Sequence, residues 1–120
     1  MITLYGVSDE ITRRVIEKVL TRLPEKVNKF VMTWCLFVSL RPDVRGMMLP
    51  IHVLDDQYHL GYLIVVDHVH MQSQWAQDIV AHEIAHAWLD HTYEHEATLL
   101  EDECNDQAVE WGFRRKTECT

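Results

Sequence analysis

Apolar residues recur along this chain with two different periods, and each change of period marks out an element. Between Ile11 and Leu23 they fall at Ile11, Val15, Ile16, Val19, Leu20 and Leu23, the spacing that lays a stripe along one face of an α-helix. Ser8 or Asp9 can cap that helix, and Pro24 stops it because it has no N–H to donate. From Phe30 to Leu40 the chain is instead rich in β-branched and aromatic residues, which predicts a strand closed by Arg41-Pro42-Asp43. Met47 to Leu54 predicts a second strand, with Pro50 confining it to an edge or a bulge. Asp55-Asp56-Gln57 is a turn signal leading into a third strand, Tyr58 to Val66. Its segment Gly61 to Val66 is almost wholly apolar, as a strand covered on both faces requires.

The helical period then returns twice. No Gly or Pro interrupts Trp75 to Asp90, where Val80, Ile84, Ala87 and Trp88 form the apolar stripe. Leu99 to Trp111 is a further amphipathic helix, with Leu100, Cys104, Ala108 and Trp111 spaced four, four and three. The expected fold class is α+β: an N-terminal helix, a three-stranded sheet and two further helices, packed on one side as a single domain over residues 1–120. A free sheet edge could hold an extended peptide as an added strand.

The chemistry lies at the centre of the first of those two helices. His82-Glu83-Ile84-Ala85-His86 is H-E-x-x-H. Positions four apart on a helix lie about 40° apart around its axis, so both imidazoles can serve one ion. Glu83, about 100° from His82, is turned away from the ligand row and placed to handle a water as general base. Two neutral nitrogen ligands, an open position and a base are the parts of a catalytic zinc site, in which bound water has a pKa near ~7. A third protein ligand is required. Thr92 stands where a metzincin would place a third histidine, and Leu89 where it would place a glycine, which excludes that arrangement. The next helix offers Glu101, Asp102, Glu103 and Asp106. Glu101 and Glu103 lie on opposite borders of the apolar stripe, and periodicity alone leaves both open. Asn105 shares the face of Glu101 and could orient a ligand by a hydrogen bond.

This helix pair resembles the gluzincin metallopeptidases, in which H-E-x-x-H is followed on the next helix by E-x-x-[AC]-[ND]. Glu101-Asp102-Glu103-Cys104-Asn105 fits that pattern, with Ala108 where the family often has a small residue. In size and order the chain is most similar to the minigluzincins and to peptidase units of the ImmA/IrrE type, over roughly Tyr58 to Gly112. The resemblance implies a minimal zincin-like fold, one Zn2+ held by His82, His86 and Glu101, and Glu83 as base. It also implies hydrolysis of a peptide or protein substrate. Minigluzincin terminal segments can cover the cleft; the corresponding segment here, Phe113 to Thr120, carries Cys119, whose thiolate could occupy the open position of zinc. An ordinary mobile tail is the simpler expectation for it.

Composition narrows the alternatives. A net charge of −8 across 120 residues argues against a nucleic-acid partner, and Arg114-Arg115-Lys116 is the only basic run. No apolar run approaches the ~18 residues of a membrane span, and the N-terminus has no signal-peptide pattern, so a cytoplasmic protein is expected. Cys35, Cys104 and Cys119 are odd in number; the first two fall on apolar faces and are expected to be small buried thiols. Of the other histidines, His91 and His95 suit a helix C-terminus or an oxyanion-stabilising loop. His68 and His70 face the same way in an extended segment, and His52 and His59 flank a turn. Tyr58, Tyr62 and Tyr93 are candidate oxyanion donors with nothing to choose between them. Two other classes stand beside the zinc peptidase: a metal-binding regulatory or structural protein without turnover, and an α+β interaction domain in which H-E-x-x-H is accidental.

Overall fold

A computed structural model describes residues 4–5, 10–40, 46–52, 59–67, 70–89 and 97–115 of the chain. The helix of the N-terminal stripe, α1, spans Glu10–Arg22 and buries Ile16, Val19 and Leu20. Its inward face is turned slightly from the expected stripe: Ile11 is 49% exposed, and Thr12 is buried in its place. The proposed caps, Ser8 and Asp9, lie outside the described residues.

Pro24 does more than stop α1. With φ −55° it stands at the start of a second helix, α2, over Glu25–Trp34, and its carbonyl accepts the Asn28 N–H at 2.9 Å. The first half of the expected Phe30–Leu40 strand is therefore helical, and the strand begins only at Cys35. The physical reason is the pair Val27 and Val31: four residues apart, both buried, they satisfy a helical stripe that overrides the β-branched composition. Asn28 adds a tertiary tie, its side-chain N–H donating to the Leu20 carbonyl at 2.8 Å. Phe30 packs its ring against Tyr62 and Trp88, at centroid distances of 5.7 and 5.3 Å.

The strands are β1 (Leu4–Tyr5), β2 (Cys35–Leu40), β3 (Gly46–His52) and β4 (His59–Asp67). The α+β class stands, but among the described residues the sheet has four strands rather than three, in the order β1-β2-β4-β3. β2 pairs in parallel with β1 and with β4, while β3 and β4 run antiparallel. Parallel neighbours need a crossover, which α1 and α2 supply between β1 and β2. Pro50 lies on an edge strand beside an irregularity at Ile51/His52, where a residue without an N–H does no harm to the ladder. Interior β4 buries Tyr62, Ile64, Val65 and Val66. Gly61 is required there because a Cβ would collide with the carbonyl oxygen of Trp34, at the end of α2.

A 3-10 turn over His70–Gln72 leads into α3, Ala76–Trp88, and α4 follows over Ala97–Glu110. α3 is the central helix, touching α1, α4 and the sheet. Of its expected stripe, Val80, Ile84 and Ala87 are buried and Trp88 is 36% exposed. α4 ends in a Schellman turn: Gly112, at φ 95°, donates to Val109 O and Phe113 donates to Ala108 O, both at 2.9 Å.

The chain does not leave the domain there. Phe113 is buried, and the Arg114 N–H donates at 2.8 Å to the carboxylate of buried Asp78 in the first turn of α3. The Arg22 guanidinium lies 3.9 Å from the Phe113 ring centre and donates to Gly112 O and Gln77 Oε1. The start of the expected mobile tail is thus docked at the N-terminal end of α3, because it brings a large apolar side chain and satisfies a buried carboxylate. Cys119 lies outside the described residues. No helix among the described residues is long and apolar enough to cross a membrane.

Candidate metal centre

His82, Glu83 and His86 lie in the second half of α3. The segment is helical and buried on nearly every face because Ala81, Ile84, Ala85 and Ala87 let neighbouring elements approach closely. His82 is fully buried and Glu83 is 2% exposed. The two imidazole rings stand edge to face, their centres 4.9 Å apart.

α4 brings the complementary groups. Glu101, Cys104, Asn105 and Ala108 fall at i, i+3, i+4 and i+7, one face of the helix. Of these, Cys104 and Ala108 are fully buried and Asn105 is 3% exposed. The Glu101 carboxylate spans both histidines: Oε1 is hydrogen-bonded to His86 Nε2 at 3.0 Å, and Oε2 lies 3.1 Å from His82 Nε2. Between the two borders of the stripe, then, the structure turns Glu101 toward the histidines. Glu103 is exposed and faces a different groove, shared with Leu89, Asp106, Gln107 and Glu110.

His82 carries the most informative detail. Its Nδ1 lies 3.1 Å from Asn105 Oδ1, and the carbonyl oxygen can only accept, so Nδ1 bears the proton. In its neutral form the ring then turns an unprotonated Nε2 toward Glu101. That atom is buried without a hydrogen-bond partner; its approach to Oε2 has the distance of an ion pair but not the direction of a hydrogen bond. A lone pair and a carboxylate oxygen at 3.1 Å repel unless a positive charge lies between them. A cation coordinated by both removes that conflict, and the donor set fits one.

His82 and His86 also converge with Cys104: a ligand atom from each lies within 4.8 Å of the other two, a group that could hold a metal ion. Cys104 had the appearance of packing in the sequence. The available signal was its spacing of three from Glu101, which puts both on one face. Cys35, by contrast, sits in the apolar core, where burial pushes its thiol up to about 12; neither cysteine is in a disulfide.

The other sequence candidates separate. Tyr62 is a core residue stacked near Phe30. The His70 carbonyl accepts the Ser73 N–H and hydroxyl in the turn before α3. His68, His91, His95, Tyr58 and Tyr93 lie outside the described residues, as do the side chains of His52 and His59. Comparison with protein-family models, curated proteins and solved structures finds no match to this chain.

Proposed function

We propose that the protein is a zinc-dependent peptidase of gluzincin type, built on a minimal zincin-like α+β scaffold, with His82, His86 and Glu101 as ligands of one Zn2+. The observation that carries the reading is the convergence of two Nε2 atoms on one carboxylate, one of them buried and unsatisfied without a cation. Zinc bound there supplies a Lewis acid that polarises a scissile carbonyl and acidifies water.

The chain's own groups do the rest. Asn105 holds His82 in the tautomer that leaves Nε2 unprotonated, and the fully buried ring has no water to compete for either nitrogen. Glu83, next to His82 on the same turn, accepts a proton from the attacking water and passes it to the leaving amine. A peptide or protein is the substrate class, with no nucleic acid involved, and the undisulfided Cys35 and Cys104 suit a reducing cytoplasm.

The test is metal content and peptidase activity of wild type and Glu83→Gln measured side by side. The variant is expected to keep its metal and to lose about 10²–10⁴-fold in turnover. Equal turnover would remove Glu83 from the mechanism. A second reading, a metal-binding regulatory or structural protein without turnover, draws its support from Cys104, a fourth donor at the same place.

A further inference from the structure

Resting on the metal-site reading above, we propose that Cys104 is a further ligand to the ion held by His82, His86 and Glu101. Its thiolate takes the coordination position that a catalytic zinc keeps for water, so the chain holds its ion in a closed resting shell.

Two independent observations point to it. The first is position: Cys104 is fully buried, one helical turn from Glu101 on the face of α4 that meets the histidines, with donor atoms of His82, His86 and Cys104 within 4.8 Å of one another. The second is the buried Nε2 of His82, which has no hydrogen-bond partner and so marks the same place from the α3 side. Zinc–sulfur and zinc–nitrogen distances of about 2.3 and 2.0 Å put tetrahedral donors about 3.5 Å apart, so binding draws Cys104 and the two histidines, whose donor atoms lie within 4.8 Å of one another, together by at most about 1.3 Å.

The contrast with Cys35 separates a ligand from packing. Cys35 is surrounded by the apolar core, whereas Cys104 faces two imidazoles, one helical turn from Glu101 on α4. Four protein ligands make the closed shell of a structural zinc, while three and an open position make a catalytic one. Cys104 is the residue that moves this site from the second state to the first.

The experiment uses the reduced full-length chain titrated with Co2+. Visible absorption reports tetrahedral binding, and a near-ultraviolet thiolate-to-cobalt charge-transfer band reports sulfur ligation. Wild type is expected to show both. Cys104→Ala is expected to keep the visible bands, lose the charge-transfer band, and gain peptidase turnover at full metal occupancy. If that variant does not fold, Cys35→Ala/Cys119→Ala must retain the band, which assigns it to Cys104 by elimination. Cobalt bound without a sulfur band in wild type, or a band lost in Cys35→Ala/Cys119→Ala, overturns the Cys104 assignment and leaves the His82–His86–Glu101 site standing. No cobalt binding at all overturns both.

Discussion

Replacing Asn105 by alanine probes the support that holds His82 in place. The side chain removed is 3% exposed, and its Oδ1 is the partner of His82 Nδ1 at 3.1 Å. Because His82 is fully buried, water does not take over the lost bond. An unsatisfied buried donor costs about 1–3 kcal/mol, so the apo-protein should lose that much stability. The ring has an escape: freed from Asn105, it can move its proton to Nε2 and turn to donate to Glu101 instead. That tautomer relieves part of the stability loss and removes the lone pair a metal needs, so metal binding must reverse it. Loss of such supporting bonds lowers metal affinity about 10–100-fold, or about 1.4–2.8 kcal/mol at 1.4 kcal/mol per decade. The assay is zinc titration against a competing chromophoric chelator, with thermal unfolding of the apo-protein alongside. Asn105→Asp retains an acceptor at the same place and should keep affinity within about tenfold of wild type or better. Wild-type affinity in Asn105→Ala, within about threefold, would refute the view that Asn105 sets the His82 tautomer.

Three further outcomes follow from the same geometry. Glu101→Ala should cost more zinc affinity than the ~10–100-fold of a lost supporting bond, while Glu103→Ala leaves it nearly intact; the reverse order in the same titration reassigns the ligand. Gly61→Ala sets a methyl group against the Trp34 carbonyl oxygen, backbone that cannot rotate away, and should destabilise the fold by about 1–3 kcal/mol in denaturant unfolding; an unchanged midpoint would show that α2 and β4 separate easily. Truncation after Gly112 removes buried Phe113 and the donor to Asp78, so it should lower stability by about 3 kcal/mol or more; a shortened chain that melts like the full one would show that the docking contributes nothing.

Much of the site was legible in the sequence because its information is local. The rise and twist of an α-helix decide that His82 and His86 share a face and that Glu101, Cys104 and Asn105 share another, and no tertiary contact is needed to say so. The same holds for the first helix, for the edge position of Pro50 and for the apolar strand at Gly61–Val66. Where local preferences conflicted, only the packed structure could choose. Phe30–Trp34 has the composition of a strand, but the buried pair Val27 and Val31 draws it into α2, and the sheet gains β1 through a parallel pairing that leaves no mark on neighbouring residues. The rotation of α4 about its axis was likewise undetermined, since a stripe of Leu100, Cys104, Ala108 and Trp111 leaves both glutamates at its borders. Burial of Cys104, Asn105 and Ala108 against α3 fixes that rotation, and with it Glu101 rather than Glu103 beside the histidines. That choice belongs to the contact between two helices, and a single helix's periodicity cannot contain it.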